Sequence, residues 1–295
     1  MRPPRRSRRS LRWPLRRFSG RHFSRALLLG LLAAGGGCAV DERTGPALAD
    51  ALADGPVRDY ASRQADTVAH TSLVLQEQAA QLRGPGPQLA AAQQSWLKAR
   101  AAYERGAPVF LVVAAELDFQ LDGHLDDALA RTGLRLLEGA LFATPPAAAA
   151  ELERLTGALS ESALALHQAV ADHARPLPAT ALLGSMAAVA SLLATRFDGS
   201  LSPYAGASLL AVENSLLGLQ QVYAILAPLV AAADAALDAQ LAALLAELLA
   251  QVRALPSLES IPDKTVLLRK CDALSQGLRR LGTVLGLSVS AVNLS

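Results

Sequence analysis

The sequence predicts an all-α fold, and three observations carry that expectation. Hydrophobic residues make up 52% of the 295-residue chain but aromatics only 4%, so a core must be built from Leu, Ala and Val. Ala and Leu are strong helix formers. Helical apolar spacing runs nearly unbroken after residue 46. No alternating β-branched run is long enough for a sheet. The chain is far too apolar to be disordered, and its length suits one large domain or two small ones.

Helices are expected at 46–54, 57–82, 88–104, 108–121, 125–143, 147–174, 179–197, 206–231, 234–254 and 262–287. The breakers between them are the ones a bundle needs for its loops: Gly84-Pro85-Gly86-Pro87, Gly106/Pro108, Pro145-Pro146, Pro176/Pro178, Gly199/Pro203 and Pro256/Pro262. Two uncharged runs, 176–195 and 215–233, approach the length of a membrane span. Interruption by Pro, Gly and Gln, and apolar character on most sides, make both central bundle helices. The chain suggests two halves, about 57–145 and 147–290.

Charge is unevenly distributed. Residues 2 to 25 hold ten arginines and no acidic residue, and residues 26 to 40 are uncharged. With a net charge of +2 overall, everything after the front sums to −8. Without the front the chain is acidic, and nucleic-acid binding loses its electrostatic basis. The front has the form of an export signal over 1–38: a basic region, the apolar run from Ala26 to Ala34, then Gly35-Gly36-Gly37-Cys38. That run is too short to remain as a spanning helix. Cys38 after small residues resembles a bacterial lipoprotein cleavage site, with Cys38 lipidated; ordinary signal cleavage nearby is the alternative. Ser7-Arg8-Arg9-Ser10-Leu11 also resembles a twin-arginine motif, but it lies far from the apolar run. Residues 39–56 form a tether. Cys271, in a Leu-rich pattern, is expected as a small buried hydrophobe, with no disulfide framework.

The stretch from Trp96 to Phe142 carries the chemistry. Glu104, Asp118 and Glu138 recur on segments of helical spacing. Carboxylates gathered from neighbouring helices are how bundles build metal sites; from spacing alone, the plainer alternative, that each sits on a solvated helix face, is the stronger. No His-Glu-x-x-His pair, Gly-x-Ser-x-Gly elbow or phosphate-binding loop occurs.

Trp96, Ala99, Arg100, Tyr103 and Glu104, then Leu117, Asp118, Leu121 and Asp122, then Gly133 and Glu138, resemble in order and spacing the imelysin-like proteins, and among them the EfeO/EfeM-type iron-uptake proteins. In the second half, Tyr204, Leu209, Asn214 and Gly218, the run Leu226–Leu229, and Leu274, Ser275 and Leu278 fit the same pattern. EfeO carries a cupredoxin-like domain that has no counterpart here, so the short EfeM type is the nearer resemblance.

The resemblance implies an imelysin-like fold of two helical-bundle halves packed as one domain over 57–290. It also implies a non-catalytic cell-envelope lipoprotein, facing the periplasm, that passes iron toward a membrane permease. Glu104, Asp118, Asp122 and Glu138 would be the metal ligands, with His124 a further candidate. His70, His167 and His173 have no motif context.

One departure bears on the metal. Arg135 stands where the family has the His of Gly-x-His-x-x-Glu. A guanidinium has no lone pair to offer a metal and brings positive charge to the cation's place. Arg135 is therefore expected to pair with Glu104, Asp118 or Glu138 in the metal's stead. The alternative function is a binding or scaffold module that has lost its metal. A peptidase is the third choice.

Overall fold

A computed structural model describes residues 55–82, 86–123, 132–173, 177–197, 202–258, 261 and 263–287. All of them fall in one compact unit, Ala39–Ser295. The expected export signal with Cys38, the tether up to residue 54 and the segment bearing His124 lie outside the described residues.

Among the described residues there are nine helices and no strand: α1 (Pro56–Ala80), α2 (Pro87–Val113), α3 (Ala115–Asp122), α4 (Leu134–Phe142), α5 (Ala149–Asp172), α6 (Ala179–Arg196), α7 (Ser208–Ala233), α8 (Ala235–Arg253) and α9 (Thr265–Val284). Pro opens α1 and α2 in their first turn, where its missing N–H costs nothing. Asp234 caps α8 by accepting from the N–H groups of Ala236 and Leu237. The expected all-α class is what the chain adopts.

Two expectations need correction. Gly106 and Pro108 do not break the chain: α2 runs through both to Val113, and the interruption falls at Ala114 (φ −150°, ψ 54°). Pro108 removes one backbone bond, but residues 106 to 110 are all buried, and tertiary burial overrides local propensity. Gly106 serves packing, since a Cβ there would stand 2.1 Å from the Phe110 ring. The second correction concerns the halves. α5 packs on α1, α3 and α4, so it belongs with the first group of helices. The division drawn at residue 145 therefore moves beyond Asp172. Helices α6 to α9 make the second group, with α9 on α6 and α8, and α7 on α8.

α2 joins the groups, packing on α1 on one side and on α7 and α6 on the other. Its approach to α7 is close: a Cβ on Gly218 would lie 2.3 Å from the Arg105 carbonyl oxygen. One turn earlier on the same face of α7, the Asn214 side-chain oxygen accepts from Arg105 Nε at 2.6 Å. That same carbonyl accepts from Tyr60 of α1 at 2.8 Å.

The helices α6, α7 and α8 are long and apolar enough to cross a membrane by length and composition; α8 was expected as a helix, but only the runs behind α6 and α7 were singled out for that length. α6 is central, with Leu182 to Ala190 buried throughout. Cys271 is buried in the same core, its thiol pushed up to about 12 by burial.

Gly218→Ala is expected to lower stability by about 1–3 kcal/mol, because the added methyl must push α7 off α2. Urea denaturation followed by circular dichroism measures it; an unchanged midpoint would show that the contact yields freely.

Candidate functional site

Spacing on α2 sets the site. Trp96, Arg100, Tyr103 and Glu104 follow at intervals of four, three and one, so they share one helix face. That face is buried: Trp96 and Glu104 are 0% exposed and Arg100 is 1%. The Trp96 indole donates to the Leu134 carbonyl at 2.8 Å and meets Phe142 edge-on at 5.3 Å. It thereby holds the start of α4 against α2. Below α4, Gly123 (φ 71°) and Gly133 (φ 116°) touch backbone to backbone. A Cβ on Gly133 would lie 2.6 Å from the Gly123 nitrogen. Only glycine suits such positive φ values and such contact, and this neck brings the end of α3 beside the start of α4.

Arg100 sits at the centre. Its Nη1 donates to Asp122 Oδ1 of α3. Its Nη2 stands 2.5 Å from Glu104 Oε1, one turn on. The angle there is too poor for a hydrogen bond, so the second contact is an ion pair. The guanidinium also lies 5.8 Å from the Tyr103 ring centroid, within cation–π range. Arg135 Nη2, from α4, reaches the other Asp122 oxygen at 3.0 Å. Arg196 Nη1, from the last residue of α6, stands 2.5 Å from Glu104 Oε2. Ser215 of α7 links the two, accepting from Arg196 at 2.8 Å and donating to Glu104 at 2.6 Å. Tyr103 donates to Asp118.

The predicted carboxylates thus split. Glu104, Asp118 and Asp122 belong to one network. Glu138, buried at 0% exposure, points its Oε1 at the backbone N–H groups of Tyr204 and Ala205, at 2.9 and 2.8 Å. Its Oε2 is buried with no hydrogen-bond partner among the described residues. The solvated-face alternative fails for Glu104 and Glu138, both buried; Asp118 is half-buried and takes the Tyr103 hydroxyl. Arg135 does form an ion pair, but with Asp122 and not with Glu104, Asp118 or Glu138. The reason is register: the glycine neck sets the first turn of α4 against the last turn of α3, where Asp122 is the acidic residue.

Sequence reasoning missed Arg196 and Ser215. The available signal for Arg196 was its position as the first charge after a long uncharged helix, where a charge must either reach water or find a partner. Ser215 carried no signal beyond its place beside Asn214.

Electrostatics follow from burial and neighbours. Burial alone would push the Asp122 carboxyl up, but Arg100, Arg135 and Arg196 outweigh it and hold it at about 2. Asp118 goes the other way, to about 6: burial raises it and, together with the nearby Asp122 and Glu104 charges, outweighs the Tyr103 hydrogen bond and the Arg196 charge. Burial also pushes the Tyr103 phenol well up, helped by Asp118 and Asp122. For Arg100, burial lowers the pKa but Asp122 and Glu104 more than restore it, so it stays charged.

The arrangement does not suit a metal. Among the described residues no group of three or more His, Cys, Asp or Glu is disposed to hold one. Guanidinium groups sit on the oxygens of Glu104 and Asp122 that would be the ligands. Bringing a cation to three fixed positive charges is unfavourable at any such distance.

Arg100→Met is expected to cost about 3–5 kcal/mol, since it takes the one fully buried guanidinium from two buried carboxylates at once. Chemical denaturation tests this, and a loss under about 1 kcal/mol would show that solvent already reaches the pair. The pH dependence has a definite sign. Asp118 titrates at about 6 in the folded chain against about 4 unfolded, so its ionisation opposes folding and stability falls as pH rises through that window. Asp122, held at about 2, contributes stability present above about 4 and lost as pH falls toward 2. Asp118→Asn should flatten the stability profile between about 4 and 6 while leaving the acid limb in place; a profile unchanged by the substitution would overturn the assignment.

The Imelysin family profile, which carries a peptidase label, matches residues 127–281, more than half of the chain. That span includes Arg135, Glu138 and Arg196 and begins after Glu104, Asp118 and Asp122. No curated protein matches the chain. Among solved structures, the chain is similar to an imelysin-like protein from Psychrobacter arcticum 273-4, with a TM-score of 0.71 and 16% identity, over 84% of this chain and 97% of that one. At that identity the likeness is one of fold. With a family match over 127–281 and this helical architecture beside it, the chain belongs to the imelysin family.

Proposed function

We propose that this imelysin is an exported, lipid-anchored and non-catalytic binding or scaffold module of a bacterial cell envelope, facing the periplasm, that does not hold metal through its carboxylate cluster. The observation supporting this is the internal compensation of that cluster. Both Glu104 oxygens face arginines, Arg100 and Arg196, and both Asp122 oxygens face arginines, Arg100 and Arg135. Each guanidinium is tethered to its own backbone, so unlike a bound ion it cannot dissociate from the network. A hydrolytic role would also need a carboxylate free to accept a proton or hold a metal-bound water. In this network the carboxylates are committed to guanidinium, hydroxyl or phenol donors.

The iron reading implied by the EfeO/EfeM resemblance makes iron a cargo on Glu104, Asp118, Asp122 and Glu138, handed to a membrane permease. One observation favours it: Glu138 Oε2 is buried and has no hydrogen-bond partner among the described residues. The three arginines weigh against it more heavily, since they occupy both oxygens of two of the four proposed ligands, Glu104 and Asp122.

Calorimetric titration of the purified protein with ferrous, ferric and zinc ions separates the two. No saturable binding at micromolar metal is the expected result. Micromolar or tighter binding, abolished by Glu138→Gln, would restore iron delivery. Export and anchoring are tested separately: Cys38→Ala should release the protein from the membrane fraction, and a membrane-bound variant would remove the lipid anchor from the proposal.

A further inference from the structure

The family motif singles out Arg135 as the substitution that removes a metal ligand, but the geometry gives a larger part to a residue outside every motif. Arg196 is the last residue of α6 and its side chain is only 12% exposed. A cation at a helix C-terminus complements the dipole and usually points to water. Arg196 instead turns inward to Glu104, with Ser215 of α7 bridging the pair. Glu104 Oε2 receives both Arg196 and Ser215, and these fill the two acceptor directions of that oxygen.

The charges of the network also balance. Arg100, Arg135 and Arg196 bring three positive charges to the three carboxylates Glu104, Asp118 and Asp122. Arg100, on α2, pairs with Glu104 of the same helix and with Asp122 of α3 and holds the scaffold. The other two enter from α4 and α6, one on each outer oxygen. Without Arg135 and Arg196 the network would carry a net charge of −2, which is the charge one divalent cation neutralises.

We propose that Arg196 and Arg135 are built-in counter-cations: together they stand in for a divalent metal at this carboxylate network and close it to free cations. The proposal rests on the reading above, in which the unmodified protein holds no metal there. It assigns to Arg196, on the second group of helices, the part of the metal at Glu104, and to Arg135 its part at Asp122. Arg135 alone is then not the determinant. With Arg196 in place, Glu104 stays occupied whatever residue stands at 135.

The test compares the unmodified protein, R135H, R196Q and the double variant R135H/R196Q, each titrated with zinc and with cobalt alone. Calorimetry and the visible absorption of bound cobalt are the readouts. The expected result is saturable binding by the double variant, at least about 100-fold tighter than by R135H, and lost again on adding Glu104→Gln. Equal binding by R135H and the double variant would overturn the role of Arg196. A folded double variant that binds neither ion would overturn the proposal while leaving the functional reading intact. Tight binding by the unmodified protein would instead defeat the functional reading. Removing Arg196 leaves Glu104 buried with one partner fewer, and a double variant that is unfolded without metal is tested by refolding. In that case zinc should restore its helical circular dichroism, and failure to do so counts against the proposal. A denaturation cycle gives a second check: R196Q should cost markedly less stability in a Glu104→Gln background than in the native one. Equal costs would overturn the pairing.

Discussion

The buried guanidinium of Arg100 is the constraint on which the rest of the site depends. It is 1% exposed, and one group holds Glu104 on its own helix and Asp122 on α3. A charge so far from water is tolerable only when its partners are close and fixed. The geometry of α2, α3 and the α3–α4 neck follows from that demand. Trp96 fixes the start of α4, the two glycines bring the chain back on itself, and Asp122 comes to rest between Arg100 and Arg135. Arg196 and Ser215 then extend the network across to α6 and α7. The same charges that stabilise the network tie the first group of helices to the second.

A bundle that brings several carboxylates inside has two ways to neutralise them. A metal ion gives concentrated charge and can leave; an arginine gives dispersed charge on a fixed tether. This chain uses three arginines, and the consequences differ by residue. Asp122, between two guanidinium groups, is held far below the usual carboxylate range. Asp118, which has the Tyr103 hydroxyl but no bonded arginine, is driven up instead. Two carboxylates four residues apart on one helix thus take opposite shifts. The difference lies in what reaches them from other elements, and nothing in their local sequence encodes it.

Much of the fold was legible in the sequence because helix formation here is a local matter. Ala- and Leu-rich periodicity, Pro at the first turn and Gly-Pro punctuation place most helices within a few residues of where they stand. The failures share a cause. Gly106 and Pro108 are breakers by local rule, yet that part of α2 is enclosed on every side and continues. α5 follows a Pro-Pro turn that looked like a boundary between halves, but its apolar face fits α1. Both outcomes were set by packing partners distant in the chain.

The candidate site divides along the same line. Its residue types were visible: the acidic positions at 104, 118, 122 and 138, and an arginine at 135 where a ligand was expected. Sequence by itself determined that the chain would be helical, that its core would be aliphatic, and that carboxylates and an unusual arginine would share one region, because composition, periodicity and motif spacing are local properties. Only the tertiary structure decided which charges meet. Arg135 finds Asp122 because a glycine neck sets the register of α4. Glu138 turns to the amides of Tyr204 and Ala205, 66 and 67 positions away. Arg196 reaches Glu104 across 92 positions of sequence. An ion pair depends on distances of a few ångströms in space, and only packing, not position along the chain, sets those distances.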